Sequence, residues 1–136
     1  AHCRIETAPY PGVAALLRTL HAQGRKLAIV SNKPDEAVRA LRADFFADAV
    51  QIAVGETAAI RRKPAPDMLL AAMEQLGADP DETVFVGDSE VDIATARAAD
   101  LPCISVLWGF RDRDVLERAG GQQFAADIAQ LQALLG

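Results

Sequence analysis

Residues 83–99 constrain the fold of this chain more than any other stretch, and they read TVFVGDSEVDIATARAA. Its apolar run VFV ends at Gly87, a pattern typical of a short buried strand. Asp88 follows at once, and Ser89 suits the N-cap of the helix that the next residues favour. The stretch therefore predicts a strand that runs directly into a helix, with a carboxylate at the junction.

A second acid, Asp92, follows four residues after Asp88 and lies in the first turn of the predicted helix. Ligands of open α/β sheets bind at the carboxyl ends of the strands, and two carboxylates there suit a hard cation such as Mg²⁺. Acids in the first turn of a helix also stabilise it by complementing its positive end. The spacing alone leaves both interpretations open.

The rest of the chain alternates between strand-like and helix-like segments. Strands are predicted at residues 26–31, 49–54, 103–107 and 123–125, and helices at 11–24, 34–43, 67–76, 114–119 and 127–135. This alternation is typical of an α/β fold with a mainly parallel sheet. No linker divides the sequence, so residues 1–136 are expected to form one domain, with an irregular segment at residues 1–10.

Composition and charge exclude several classes of protein. A net charge of −5 argues against a nucleic-acid surface, and no apolar run is long enough to span a membrane. No signal peptide is recognised, and Cys3 and Cys103 belong to no metal pattern, so reduced thiols and a cytoplasmic location are expected. The chain begins with Ala, which fits either processing or a piece of a longer protein.

Three polar features follow predicted strands or lie in loops. They are Ser31-Asn32, Lys63 before Pro64, and the pair of acids described above. Ser and Asn are also common turn residues, and most lysines are solvated. In a parallel sheet, however, Ser31 and Asp88 leave their strands at the same edge. A hydroxyl, an amide, a lysine and two acids with Mg²⁺ together make a site for a phosphoryl group.

These residues lie in motifs that resemble those of a known family. IVSNK, RKPAPD and VFVGDSEVDIATARAA are similar to motifs II, III and IV of the haloacid dehalogenase-like hydrolases, most closely the phosphoglycolate-phosphatase-like group. The similarity runs from about Pro11 to the C-terminus. It implies a Rossmann-like three-layer αβα core, dependence on Mg²⁺, and hydrolysis of a small phosphorylated metabolite through an aspartyl-phosphate.

The resemblance also implies roles for individual residues. Ser31 would donate a hydrogen bond to the phosphoryl group, with Asn32 beside it. Lys63 would stabilise the charge of the nucleophile and of the phosphoenzyme. Asp88 would ligate Mg²⁺, and Asp92 would support the metal directly or through water.

The chain departs from the family at its first motif. A strand ending in DxDGT or a similar sequence supplies the family's nucleophile, and nothing here matches it: the run AHCRIETAPY holds one acid, Glu6. The resemblance also leaves no part of this sequence to match the family's cap domain, which is usually inserted after that motif. The chain therefore resembles the C-terminal part of a phosphatase, and we expect its sheet to be incomplete at the centre, where the strand of motif I lies.

Two consequences follow for fold and function. The strands that end at Ser31 and near Asp88 would expose unpaired edges, so we expect them to pair directly, or another segment or chain to fill the gap by dimerisation or swapping. The preferred function is the metal- and phosphate-binding core of a phosphatase, inactive without its nucleophile. The alternatives are a non-enzymatic module that binds phosphate or a partner, and a sugar-phosphate mutase or dehalogenase.

Two further groups of residues have open roles. Trp108 and Phe110, in the loop after a strand, either line a substrate entrance or simply pack. Arg61 and Arg62 either assist an anionic substrate or are solvated loop charges.

Overall fold

The computed structural model describes residues 2–5, 12–109 and 111–136. The strands are β1 (His2–Ile5), β2 (Lys26–Pro34), β3 (Ile52–Glu56), β4 (Thr83–Gly87), β5 (Cys103–Val106) and β6 (Gln123–Ala125). The helices are α1 (Val13–Ala22), α2 (Asp35–Leu41), α3 (Asp67–Leu76), α4 (Glu90–Ala98), α5 (Arg113–Arg118) and α6 (Ile128–Leu135). A π-helical turn, Arg42–Phe46, continues α2, and a 3₁₀ turn, Pro80–Glu82, precedes β4.

The six strands form one sheet in the order β3-β2-β1-β4-β5-β6, and every neighbouring pair is parallel. All strands therefore end at the same edge of the sheet. Chain order and sheet order diverge between β2 and β4, which lie on either side of β1. Ligands of open α/β sheets bind at such a point, so the topology places a site beyond the carboxyl ends of these three strands.

Side chains of the central strands alternate between two hydrophobic layers, as the two-residue period of a strand requires. Leu27 and Ile29 of β2 belong to the layer that contains α1 and α6, whereas Ala28 and Val30 belong to the layer that contains α3 and α4. Phe85 and its neighbour in β4 divide between the layers in the same way. Helices thus cover both faces of the sheet, and the predicted α/β fold with its three-layer core is confirmed.

The expectations for the start of the chain need correction. His2–Ile5 is a strand, not an irregular segment. It pairs with β2 on one side and with β4 on the other, so the sheet is not incomplete at its centre and β2 and β4 do not pair directly; a segment of the chain fills the gap, which is one of the alternatives expected. The physical reason is the unpaired backbone of two buried strands, which any extended segment can satisfy regardless of its side chains. Ala1 and the other residues of the predicted irregular segment lie outside the described residues.

Element boundaries differ from the prediction in one informative place. The segment predicted as a strand at residues 49–54 is a strand only from Ile52. Ala49 and Val50 precede it in a turn, where both are buried in the core. An apolar run marks burial, and burial alone does not distinguish a strand from a packed turn.

Within the described ranges, the structure contains no helix that is both long enough and apolar enough to cross a membrane.

Candidate active site

Of the five predicted site residues, two lie in the last part of β2, two follow β4, and the fifth reaches the same edge from a loop. Ser31 and Asn32 lie near the end of β2, where its register against β3 shifts between Val30 and Pro34. Asp88 and Asp92 follow β4, and Lys63 lies in the loop between β3 and α3. A shift of register such as that in β2 re-aims side chains and is common beside functional sites.

Asn32 connects the end of β2 to the lysine loop. Its side-chain amide donates to the Lys63 carbonyl oxygen at 3.3 Å, and its Oδ1 accepts the Lys63 backbone N–H at 2.8 Å. One amide side chain therefore satisfies both backbone groups of Lys63. This fixes where the lysine side chain starts, so Asn32 has a structural role in addition to its predicted place beside the phosphoryl group.

The Lys63 side chain is buried and points to Asp92. Its Nζ lies 2.7 Å from Asp92 Oδ1, and the two side chains are 2% and 0% exposed. The same ammonium group lies 5.9 Å from the centre of the Phe85 ring. A buried charge is tolerated only when a partner compensates it. The two charges therefore hold each other in place beneath the carboxyl edge of the sheet.

The second oxygen of Asp92 organises the start of α4. Oδ2 accepts the backbone N–H of Asp88 at 2.9 Å, and the N–H and hydroxyl of Ser89 at 3.2 and 3.1 Å. Ser89 Oγ in turn accepts the Asp92 N–H, which completes a capping box. A Cβ on Gly87 would lie 2.4 Å from this carboxylate, so the close approach of Asp92 to the strand end requires glycine there.

Asp88 is the acid that remains available at this edge. It is half-buried and, among the described residues, forms no salt bridge. Burial raises the pKa of its carboxyl, and the negative charge of Asp92 raises it further, while the cations Lys63 and Arg111 oppose the shift. Arg111 itself pairs with Glu90 at 2.9 Å. Asp88 therefore presents a carboxylate whose charge a bound cation would stabilise.

Ser31, Arg61 and Arg62 do not join the contacts among Asn32, Lys63 and Asp92 in the described part of the chain. The Ser31 hydroxyl accepts the Lys33 N–H at 3.2 Å, and within the described part of the chain it makes no hydrogen bond to Lys63 or Asp88. Arg61 and Arg62 are exposed and pair with Asp67 at 2.8 Å and Glu56 at 3.3 Å, respectively. Their positive charge is thus partly compensated by neighbouring acids.

The loop after β5 also reaches this edge. Trp108 is partly buried and packs against the hydrophobic layer of α1 and α6, which supports the packing interpretation of this residue. Its neighbour Gly109 lies against the Asp88 side chain. Phe110, the other aromatic residue considered for the entrance, lies outside the described residues.

The structure thus joins four of the predicted residues in one chain of contacts, from Asn32 through Lys63 and Asp92 to the Asp88 backbone. Sequence reasoning did not pair Lys63 with Asp92. It used Gly87 only as the end of a strand, and it did not indicate that Gly87 and Gly109 leave room for the side chains of Asp92 and Asp88, respectively. The assignment of Asp88 and Asp92 to a metal stays a prediction.

Comparison with known proteins gives consistent results. A family model described as haloacid dehalogenase-like hydrolase matches residues 1–100. A phosphoglycolate phosphatase of Rhodospirillum rubrum is 38% identical over 128 residues, which cover 93% of this chain and 53% of the relative. The phosphoglycolate phosphatase of Escherichia coli K12 is 33% identical over 128 residues, which cover 93% of this chain and 51% of the relative. The chain therefore spans about half the length of these curated relatives.

Solved structures share the fold. A crystal structure from Lactobacillus delbrueckii subsp. bulgaricus superposes with a TM-score of 0.91 at 41% identity and covers 94% of this chain and 54% of its own. One from Clostridium acetobutylicum gives a TM-score of 0.83 at 28% identity, with coverage of 93% and 59%. The similarity extends over nearly the whole of this chain.

Proposed function

Since this chain belongs to the haloacid dehalogenase-like hydrolases, we propose that it forms the metal- and phosphate-binding half of a phosphate-monoester hydrolase site. The observation that carries the proposal is the buried Lys63–Asp92 pair, which lies directly beneath Asp88 at the carboxyl edge of the sheet. The pair lies at the edge of the sheet where ligands of open α/β folds bind, and this position supports a role in ligand binding. The names of the curated relatives suggest 2-phosphoglycolate as the substrate.

The donor groups fit Mg²⁺, provided that water and the substrate supply part of its shell. Asp88 offers one carboxylate, while both oxygens of Asp92 already accept hydrogen bonds. The described residues contain no cluster of three acidic, histidine or cysteine side chains. Mg²⁺ commonly binds one or two carboxylates and fills its shell with water and phosphate oxygens. Asp88 would be the direct ligand, with Asp92 acting through water or through the Asp88 backbone.

Each polar residue has a defined task in this proposal. A bound Mg²⁺ would neutralise phosphate oxygens and so make the phosphorus a better electrophile. Lys63 supplies a fixed positive charge near the same oxygens, because Asn32 holds its backbone and Asp92 holds its ammonium group. The Ser31 hydroxyl accepts the Lys33 N–H and would donate its own proton to the phosphoryl group. Asn32 completes the phosphate-binding edge.

The nucleophile is the part that this half of the site lacks. Hydrolysis through a covalent intermediate needs a carboxylate placed in line with the leaving group. No DxDGT-like segment is present in the sequence, and Glu6, the one acid before α1, lies outside the described residues. We therefore expect this polypeptide by itself to bind the substrate and the metal without turning the substrate over.

Titration with Mg²⁺, followed by calorimetry or by the fluorescence of the single tryptophan, tests the metal assignment. We expect saturable binding by the wild-type chain and its loss in Asp88→Asn, because the amide keeps the shape of the side chain and removes its charge. Asp114→Asn is the matched control, since Asp114 is an exposed acid in α5. Equal Mg²⁺ affinity in the wild type and Asp88→Asn would remove Asp88 from the metal site.

A further inference from the structure

The loop that follows β5 lies directly against the side chain of Asp88. A Cβ placed on Gly109 would lie 2.4 Å from Asp88 Oδ2, 2.6 Å from its Cβ and 2.8 Å from its Cγ. These distances are all too short for two non-bonded atoms. The Asp88 carboxylate therefore occupies the space that any other residue at position 109 would need for its own side chain.

The requirement for glycine at this position comes from space and not from backbone conformation. Gly12, Gly24, Gly77, Gly120 and Gly136 have positive φ angles, and Gly109 does not. The φ angle of Gly109 is therefore not what excludes alanine at this position. An alanine Cβ at position 109 would instead force the Asp88 carboxylate to move.

The Asp88 side chain is confined from two sides. Its own backbone N–H is held by Asp92 Oδ2 at 2.9 Å, which fixes where the side chain starts. Gly109 bounds the carboxylate at the other end. The orientation of this half-buried side chain, whose carboxylate forms no salt bridge with the described residues, is therefore compatible with glycine at position 109 and with no larger residue.

We propose that Gly109 is a positioning residue, which sets the orientation of the Asp88 carboxylate by leaving it room in one rotamer. One part of this proposal rests on the proposed function, namely that this rotamer presents the carboxylate to Mg²⁺. Groups that orient a metal ligand commonly change metal affinity by about 10–100-fold when they are altered. Gly109→Ala is expected to weaken Mg²⁺ binding by a factor in that range.

The test uses two readouts on the full chain. Three-bond carbon and nitrogen couplings to Asp88 Cγ, measured by NMR without metal, report its χ1 rotamer. We expect one rotamer in the wild type, and a different or averaged rotamer in Gly109→Ala. Mg²⁺ titration of the same samples then reports whether the change of rotamer alters affinity.

Gly55→Ala is the matched control for general destabilisation. Gly55 also lacks a positive φ angle, and its Cβ would lie 2.4 Å from the Asp35 backbone. This variant should lower stability and leave the Asp88 rotamer unchanged. In a second control, Gly109→Ala should cost little stability in an Asp88→Gly background, because the side chain that it meets is gone.

An unchanged Asp88 rotamer in Gly109→Ala would overturn the proposal, and so would a changed rotamer with unchanged Mg²⁺ affinity. A wild-type chain that binds no Mg²⁺ would instead contradict the proposed function. The rotamer measurement would still decide whether Gly109 positions Asp88.

Discussion

Replacing Lys63 by methionine should lower the free energy of unfolding by about 3–5 kcal/mol, because it leaves the Asp92 charge buried without its cation. Lys63 Nζ lies 2.7 Å from Asp92 Oδ1, and Asp92 is fully buried. Methionine has nearly the same length as lysine, so the change removes the charge while largely retaining the packing. Urea denaturation followed by the fluorescence of Trp108 measures the loss.

Two comparison variants identify the cause. Arg18 and Asp48 form an exposed pair at 3.8 Å, with side chains 54% and 60% exposed, and Arg18→Met should cost at most about 1 kcal/mol. The double variant Lys63→Met/Asp92→Asn should recover part of the lost stability, because no charge is then left unpaired. A cost below about 1 kcal/mol for Lys63→Met alone would mean that the buried pair does not hold this edge together.

Phe85→Ala is the second change with a large expected effect, a loss of about 3–5 kcal/mol in the free energy of unfolding. Phe85 is fully buried in β4, in the layer that contains Met68 and Leu69 of α3. Its removal creates a cavity between the sheet and the helix. It also removes the ring 5.9 Å from Lys63 Nζ, and a cation–π contact of this kind contributes about 2 kcal/mol when it is desolvated.

Leu70→Ala is the matched control, because Leu70 lies in the same helix α3 and is 47% exposed. A surface change of this kind usually alters stability by about 0.5 kcal/mol or less. Equal losses for Phe85→Ala and Leu70→Ala in urea denaturation would show that the layer between β4 and α3 is not the core described above.

Much of the fold could be predicted from the periodicity of apolar residues and from the capping residues and glycines at the ends of elements. The apolar run and Gly87 located β4, Ser89 located the start of α4, and α3 and β6 have the predicted bounds. These elements carry local signals, namely alternation, caps and terminal glycines, which do not depend on distant residues.

β1 was not predicted, since the alternation of polar and apolar residues in His2–Ile5 is only four residues long, the lower limit of length for a strand signal. Two of its four residues, His2 and Arg4, are basic, and the segment is a strand because β2 and β4 offer backbone groups on both sides. Tertiary context overrides local preference most easily in short segments. For the same reason the absence of a motif in the sequence does not predict an empty position in the sheet.

The site was predicted as a set of residues but not as a network. Motif spacing brought Lys63 and Asp92 to one edge, whereas the salt bridge between them depends on how the loop before α3 folds over β4. In the sequence, Gly109 is one residue of the loop after β5, between Trp108 and Phe110. A close approach of two segments distant in sequence leaves no signal in a single chain, so only the structure shows why glycine lies there.

Calorimetric titration of the full chain with 2-phosphoglycolate, with and without Mg²⁺, tests most directly whether this chain forms the metal- and phosphate-binding half of a phosphatase site. We expect binding that requires Mg²⁺, is lost in Asp88→Asn, and releases no inorganic phosphate during the experiment. Binding that is independent of Mg²⁺ and unchanged in Asp88→Asn would contradict the proposed site. Sustained release of phosphate that stops in Asp88→Asn would contradict the claim that the nucleophile lies elsewhere.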